Sequence, residues 1–233
     1  ELTQSQLEYA AKDAAVLLPL HKTLVDRADA LGLTEVVELE NRLLQVVALM
    51  STGGVEFDKE KWDGIAKGQL EKGQSLKLTL NSLVAEHCPS RAIQGNMFGD
   101  TSDIINWNSN QQKLAVLKEA GLDVQDVSDG TLAKIRDKHP LVSTLSEYTK
   151  INTRAKTFGV AWYEPKNDKR SALHEGRIHA EWMQIGARTA RMSCSNPNLQ
   201  SVPKHGEYRS CFKAAEGKTL IKADYSQIEL RII

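Results

Sequence analysis

The first half of the chain places apolar residues with the period of an α-helix. Thr3 and Gln6 have the spacing of a capping box, and apolar residues then recur every three or four positions. Gly32 interrupts this pattern, and a second apolar stripe begins after Thr34. We therefore predict two helices, each with one buried face. The stripe of the second helix consists of Val36, Val37, Leu43, Leu44, Val47 and Met50.

Further helices are predicted up to about residue 158. Residues 58–87 favour one long helix, although three glycines weaken it. Residues 88–110 have the Pro, Gly and polar composition of a loop. Shorter helices are predicted at about 111–120 and 129–138. Pro140 suits the first position of another helix that runs to about Phe158.

The pattern changes after Gly159, where short segments of partly alternating polarity begin. Four of them favour β-strands: AWYEPKNDK, GRIHAEWMQ, YRSCFKA and TLIKADYS. The chain is therefore predicted to be α+β, with a helical part followed by a strand-rich part and a boundary near residue 160. Asp224 would lie at the end of the last strand.

The charge is unevenly distributed, although the net charge of the 233 residues is zero. Residues 1–62 contain 6 Lys/Arg and 11 Asp/Glu, a net of −5, whereas residues 150–223 contain 14 Lys/Arg and 6 Asp/Glu, a net of +8. A basic half suits a polyanionic partner. An uneven solvated surface explains the same numbers equally well.

Composition narrows the class of protein further. The hydrophobic fraction is 41% and the charged fraction 26%, which is typical of a globular protein, and no apolar run approaches the ~18 residues of a membrane span. The three cysteines have no CxxC spacing. They favour reduced thiols in a cytosolic protein over a disulfide or a zinc site.

Asp224 is the first candidate for chemistry. Glu229 and Arg231 follow it closely, and two carboxylates beside a guanidinium suit a metal–phosphate site, since Mg²⁺ takes hard oxygen ligands. A lone Asp after a strand is also a common turn or capping residue. The residues by themselves leave both interpretations open.

Longer motifs resemble a known family. DYSQIELR (224–231) resembles the first palm motif of the A-family, DNA polymerase I-type enzymes. TARMSCSNPNLQSVP (189–203) is similar to the TGR-x-S-S-x-x-P-N-L-Q-x-x-P segment that precedes this motif in the family. YRSCF (208–212) and GRIHAEWMQIG (176–186) resemble the strands nearby.

The helical part resembles the same family in the same order. LEYAAKDA (7–14) resembles the last motif of DEDDy-type 3′–5′ exonucleases. GGVEFDKEKW (53–62), INWNSNQQKLAVL (105–117) and LSEYTKINTRAKTF (145–158) are similar to the opening, the tip and the returning helix of the thumb. The resemblance implies three domains: the C-terminal end of an exonuclease-like domain (1–25), a helical thumb (26–160) and a truncated N-terminal part of an antiparallel-sheet palm (161–233).

The family implies a DNA-templated DNA polymerase that transfers nucleotides to a primer 3′-hydroxyl by two-metal catalysis with Mg²⁺. Asp224 matches the metal-binding acid, and the backbone carbonyl of Tyr225 matches a second ligand. Glu229 matches the glutamate that excludes a 2′-hydroxyl, with an ion pair to Arg231 as the alternative. The remaining nucleotide-binding candidates are Ser226, Gln227 and Ile228.

DNA contacts are also implied. Arg191 matches an arginine that reaches the minor groove at the primer terminus, with a phosphate contact as the alternative. Ala190 stands where the family usually has Gly, which costs roughly 1 kcal/mol or more if φ is positive there. The other DNA-binding candidates are Asn198, Gln200, Lys204, Arg209, Asn108, Ser109 and Lys113.

Tyr9 and Asp13 match the exonuclease motif, but the other acids of such a site have no counterpart here, so we expect a remnant. We further expect a polymerase fragment that lacks fingers and a second palm acid and is inactive alone. A non-catalytic primer–template-binding module and the remnant of a proofreading exonuclease are the alternatives. The implied partners are primer–template DNA and deoxynucleoside triphosphates. The implied setting is a monomer in the cytoplasm of a bacterial or phage-infected cell, associated with the nucleoid and not with a membrane.

Overall fold

The computed structural model describes residues 2–90, 105–164, 170–204 and 207–233. By its internal contacts the chain forms two compact units: Glu1–Gly54 with His179–Gln200, and Val55–Ile178 with Ser201–Ile233. The sequence-based limits at residues 25 and 160 describe functional domains rather than contact units, and they stay a prediction.

Capping side chains begin several of the helices. The Thr3 hydroxyl accepts from the backbone N–H of Gln6 at 3.3 Å, and Gln6 Oε1 accepts from the Thr3 N–H at 2.8 Å, so the predicted capping box is confirmed. Ser109 and Ser128 cap two later helices by accepting from the backbone N–H of Gln112 and of Thr131. The helices of the described residues are α1 (Gln4–Ala15), α2 (Leu17–Ala30), α3 (Thr34–Gly53), α4 (Lys59–His87), α5 (Asn110–Glu119), α6 (Asp129–Lys134), α7 (Pro140–Thr157) and α8 (Ile228–Ile232).

The apolar faces of the first three helices are largely exposed. Helices α1 and α2 contain no buried residue, and Val47 is the buried residue of α3. The prediction of a buried face on each of two helices is therefore wrong: the first predicted helix forms α1 and α2, which bury nothing, and the stripe of α3 is buried only at Val47. Periodicity reports the face that a helix is able to bury, and burial also requires a neighbouring element over that face.

The main core lies where α4 packs against α7. The predicted long helix and the Pro140 start are both confirmed, and α6 ends four residues earlier than expected. Burying this cluster supplies the main stabilisation of the unit, at about 25 cal/mol per Å² of apolar surface. Its fully buried members include Leu80, Val84, Val116, Leu117, Leu141, Val142 and Leu145.

An antiparallel four-stranded sheet joins distant parts of the chain in the order β2-β3-β1-β6. Strand β1 precedes α4 in sequence but pairs with β3 and β6, and Glu56 faces Arg177 across β1 and β3 with an ion pair of 2.6 Å. Glu175 and Gly176 both have positive φ, which gives the two-residue β2–β3 turn the hand that a twisted hairpin needs. The strands of this sheet are β1 (Val55–Phe57), β2 (Leu173–His174), β3 (Arg177–Ile178) and β6 (Phe212–Lys213).

Aromatic packing explains why AWYEPKNDK does not begin as a strand. Residues Val160–Trp162 form a 3₁₀ turn, which stacks Trp162 on Trp62 with ring centroids 4.4 Å apart. Tyr163 is fully buried beside them and donates a hydrogen bond from its hydroxyl to Asp63 at 2.7 Å. Residues 165–169 of this predicted strand lie outside the described residues.

The other strand predictions are confirmed in part. GRIHAEWMQ contains β3 and β4 (Glu181–Met183), and β4 pairs with β5 (Ser193–Ser195) in a separate hairpin. YRSCFKA is a 3₁₀ turn followed by β6. TLIKADYS forms no strand, because the described residues place no neighbouring strand beside it to take its backbone hydrogen bonds. The predicted α+β class is confirmed.

None of the described helices combines the length and the apolar character that crossing a membrane requires.

Candidate nucleic-acid interface

A polar cavity of about 300 Å³ lies between the start of α5 and the second half of α7. Two lysines and several amides and hydroxyls line it, and none of the nine lining residues is acidic. Such a lining presents hydrogen-bond donors and positive charge, which is suited to an anion. The lining residues are Trp107, Asn108, Lys113, Tyr148, Thr149, Asn152, Thr153, Lys156 and Thr157.

Asn108 connects the loop before α5 to helix α7. Its Oδ1 accepts hydrogen bonds from Lys156 Nζ at 2.7 Å and from Asn152 Nδ2 at 3.0 Å. Its backbone N–H donates to Asn106 Oδ1 at 3.0 Å, which holds the loop in a tight turn. The side-chain oxygen of Asn108 thus accepts two hydrogen bonds from within the protein, and one of them holds Lys156 Nζ at the cavity.

Lys113 is buried against the same cavity, with only 8% of its surface exposed. Its Nζ lies 3.4 Å from Asn110 Oδ1, a long hydrogen bond. Burial lowers the pKa of Lys113 below its ordinary value, and the positive charge of Lys156 lowers it further. The ammonium form of Lys113 is therefore poorly stabilised by the protein alone.

Thr149 supplies a further unpaired group at the cavity. Its hydroxyl oxygen is buried and has no hydrogen-bond partner among the described residues. An unpaired buried hydroxyl costs about 1–3 kcal/mol, so a bound group that pairs with it is favoured. Ser109, by contrast, accepts from the backbone N–H of Gln112 at 3.4 Å and serves as the N-cap of α5.

Sequence reasoning missed Thr149, Asn152 and Lys156 as members of this site. They share one face of α7, at positions i, i+3 and i+7. A polar stripe at this spacing opposite the predicted tip segment was a signal that could have found them.

A second group of candidates lies around the β4–β5 hairpin. Ala187 donates its N–H to the carbonyl of Arg191 at 3.2 Å, and Ala190 donates to the carbonyl of Ala187 at 2.9 Å. This turn holds Ala190 at a φ of 58° and leaves Arg191 exposed. Ala190 therefore has the positive φ at which an alanine is strained.

The segment after β5 is folded back onto the hairpin. Gln200 Nε2 donates to the carbonyl of Met192 at 3.2 Å, and Asn196 Nδ2 donates to Glu181 Oε2 at 2.7 Å. Asn198 is exposed between these two anchors. The structure thus brings Arg191, Asn198 and Gln200 into one short folded segment.

Lys204 and Arg209 belong to the other compact unit. Both are exposed, and Arg209 reaches the carbonyl of Val202 at 3.5 Å, near the limit of a hydrogen bond. These two residues are available to solvent.

The DYSQIELR segment is exposed throughout. Tyr225 is 78% exposed, Asp224 and Ser226 are also exposed, and Gln227 has a φ of 50° directly before α8. Ile228 and Glu229 form the first turn of α8. The expectation that Asp224 follows a strand is wrong, for the reason given above.

The oxygen atoms of this segment are of the type that a hard cation binds. The Asp224 carboxylate and the Tyr225 backbone carbonyl are the ligand types that Mg²⁺ takes, usually together with waters and substrate phosphates. Within the described part of the chain, no three His, Cys, Asp or Glu side chains are grouped to hold a metal ion. By themselves, these two oxygen ligands would fill only part of a coordination shell.

Tyr9 and Asp13 lie four residues apart on α1, and both are exposed. The described residues bring no cluster of further acids to them.

Comparisons with known proteins match this chain to DNA polymerases. The model for "DNA polymerase family A" matches residues 91–233. DNA polymerase I of Rhizobium leguminosarum is 31% identical over 241 residues, which cover 97% of this chain and 22% of that protein. DNA polymerase I of Treponema pallidum is 28% identical over 240 residues, with the same two coverages. This chain therefore spans about a fifth of the length of these relatives.

One solved structure has a similar fold. The POL domain of Pol1 from M. smegmatis, in complex with DNA primer–template and dNTP, superposes with a TM-score of 0.62 at 24% identity. The match covers 94% of this chain and 37% of that one.

Proposed function

Because the chain belongs to DNA polymerase family A, we propose that it is part of a DNA-directed DNA polymerase, in which it grips primer–template DNA and contributes one metal-binding acid. The match over residues 91–233, which includes the motif at 224–231, is the observation that supports this proposal. The reaction is nucleotidyl transfer from a deoxynucleoside triphosphate to the primer 3′-hydroxyl.

The cavity between α5 and α7 holds a backbone phosphate of the duplex. Lys113 and Lys156 supply the positive charge, and Thr149 supplies a hydroxyl that has no partner within the described part of the chain. Contacts to phosphates position DNA without reading its sequence, as a copying enzyme requires.

Arg191 faces the minor groove of the primer terminus. Every correct base pair presents an N3 or O2 acceptor there, so one guanidinium senses pair geometry in any sequence. Asn198 and Gln200 lie in the same segment and line the same groove. Lys204 and Arg209, which belong to the other compact unit, contact phosphates of the duplex. The turn around Ala190 determines where Arg191 points.

Asp224 and the Tyr225 carbonyl hold Mg²⁺, since this family uses divalent metal ions. Held by Asp224 and the Tyr225 carbonyl, the ion would supply Lewis acidity toward the primer 3′-hydroxyl and would offset the charge of the reacting phosphate. Glu229 excludes a 2′-hydroxyl, and Ser226, Gln227 and Ile228 line the nucleotide beside it.

The salt dependence of DNA binding tests whether the chain binds the phosphates of primer–template DNA. Fluorescence anisotropy with a labelled primer–template duplex is expected to give a log affinity that falls linearly with log salt, with a slope of a few units. Lys156→Met is expected to reduce that slope by about 1. Lys118→Met, on the exposed side of α5, serves as the matched control and leaves the slope nearly unchanged. An affinity independent of salt contradicts the proposal.

A non-catalytic DNA-binding module is the second candidate. The contrast between a cavity lined for an anion and a metal shell that would be only partial favours it. In both cases the 233 residues alone are expected not to extend a primer. Mn²⁺ binding in the presence of primer–template and dNTP, followed by electron paramagnetic resonance, separates the two. The polymerase proposal expects Asp224→Asn to weaken Mn²⁺ binding roughly tenfold or more. Unchanged binding supports the module.

A further inference from the structure

The two lysines of the cavity differ sharply in environment. Lys156 is exposed and donates to Asn108 at 2.7 Å, whereas Lys113 is 8% exposed and has one long contact to Asn110. The other titratable group on the lining is Tyr148 of α7, and no carboxylate lies on it. Lys113 thus faces a like charge and no compensating anion within the described lining.

The cavity also has the room and the polarity for an anion. Its volume of about 300 Å³ exceeds that of several water molecules, each of which occupies about 30 Å³ in the liquid. Thr149 is one of the lining residues, and its buried hydroxyl has no hydrogen-bond partner among the residues that the structure describes. A tetrahedral phosphate presents several acceptors to such a set of donors.

We propose that DNA binding at this cavity is coupled to proton uptake by Lys113: a backbone phosphate enters, and a proton from solvent adds to Lys113 Nζ. The inference rests on the proposed DNA grip and adds its regulation by pH. The proton comes from a buffer acid or a water molecule: its bond there breaks, the electron pair stays on the conjugate base, and the Lys113 Nζ lone pair forms the new N–H bond.

The direction of the coupling follows from the environment. Burial and Lys156 lower the pKa of Lys113 in the free protein, and a phosphate beside it raises that pKa again. DNA affinity therefore rises as pH falls through the window between the free and bound pKa values, and above that window the gain is lost. Loss of this charged contact weakens binding roughly tenfold.

Calorimetry in buffers of different ionisation enthalpy measures the number of protons taken up when DNA binds. The 233-residue chain is titrated with primer–template duplex between pH 8 and pH 10, and a fractional proton uptake that depends on pH is expected. Lys113→Arg remains charged at every pH used, so it is expected to bind DNA without uptake. Lys113→Met is expected to bind roughly tenfold more weakly, also without uptake. Lys118→Met is the control that keeps the wild-type uptake.

Thr149→Val tests the cavity without touching either lysine. If the hydroxyl pairs with the bound phosphate, the variant loses several-fold in DNA affinity, although its melting temperature stays equal or rises. Unchanged DNA affinity, with a raised melting temperature, contradicts a phosphate at this position.

Each other outcome has a distinct meaning. No DNA binding by the wild-type chain at low salt overturns the proposed function itself. DNA binding without proton uptake, or with uptake that persists in both Lys113 variants, overturns the coupling and leaves the grip intact. Uptake with inorganic phosphate but not with duplex DNA makes the cavity a small-anion site and overturns the assignment to DNA.

Discussion

At the scale of single residues, Ala190 shows a local cost beside a proposed functional side chain. Its φ of 58° lies in the left-handed region, where a Cβ crowds the backbone. We expect Ala190→Gly to raise the free energy of unfolding by about 1 kcal/mol, because glycine adopts this φ without strain. Urea denaturation of the 233-residue chain measures the difference.

Ala187 provides the matched control, because it lies in the same turn and outside the positive-φ region. Ala187→Gly is expected to lower stability by about 0.4–1 kcal/mol, since it adds freedom to the unfolded chain without relieving strain. A loss of stability in both variants contradicts the strain at Ala190.

At the scale of secondary-structure elements, His139 joins the start of α7 to the end of α4. Its Nδ1 accepts from the backbone N–H of Leu141 at 3.1 Å, and its ring meets the His87 ring edge-on, with centroids 4.5 Å apart. Burial and then His87 lower the pKa of His139, and Glu86 opposes them in part. Protonation of Nδ1 would remove the cap.

Stability is therefore expected to decrease as pH falls below about 6.5, the unfolded pKa of histidine. The sign follows because a lowered folded-state pKa means that the unfolded chain binds the proton more readily. His139→Asn retains a capping side chain and removes the titration. We expect the loss of melting temperature between pH 8 and pH 5.5 to be smaller in this variant than in the wild-type chain. An equal loss in both proteins contradicts a role for His139.

The helices were predictable because their signals are local. The Thr3 capping box, the position of Pro140 and the length of α4 follow from residues close together in sequence. The strands were harder, because β1 exists only through partners more than a hundred residues away, at Arg177–Ile178 and Phe212–Lys213. TLIKADYS has a strand-like pattern but no such partner among the described residues.

The residues of the candidate site also divide into those that a sequence motif indicates and those that depend on tertiary contacts. Asn108 and Lys113 were found from the family resemblance, and the structure places both on one cavity. Nothing in the local sequence separates Lys156 from the other lysines and arginines of α7, which are exposed as it is. Its role depends on the tertiary contact with Asn108, which sequence spacing does not contain.

At the scale of the whole molecule, most of the buried residues lie outside the first three helices. The buried cluster joins α4, α5 and α7, with Leu80 and Leu141 almost fully enclosed. Helices α1 and α2 contribute no buried residue. An isolated helix of their length is marginal in water, so its stability depends on packing.

The rate of amide hydrogen exchange should therefore differ between the helices of the 233-residue chain. The amides of α4 and α7 open only with the core, and we expect them to exchange slowest, at rates near those of global unfolding. The amides of α1 and α2 have no buried side chains to hold them, and we expect exchange at least a hundredfold faster. Exchange measured by mass spectrometry at neutral pH resolves the two groups, and the exposed loop peptides give the fast reference. Protection of α1 and α2 equal to that of α7 would show that their exposed apolar faces are covered in solution, and it would contradict this distribution of stability.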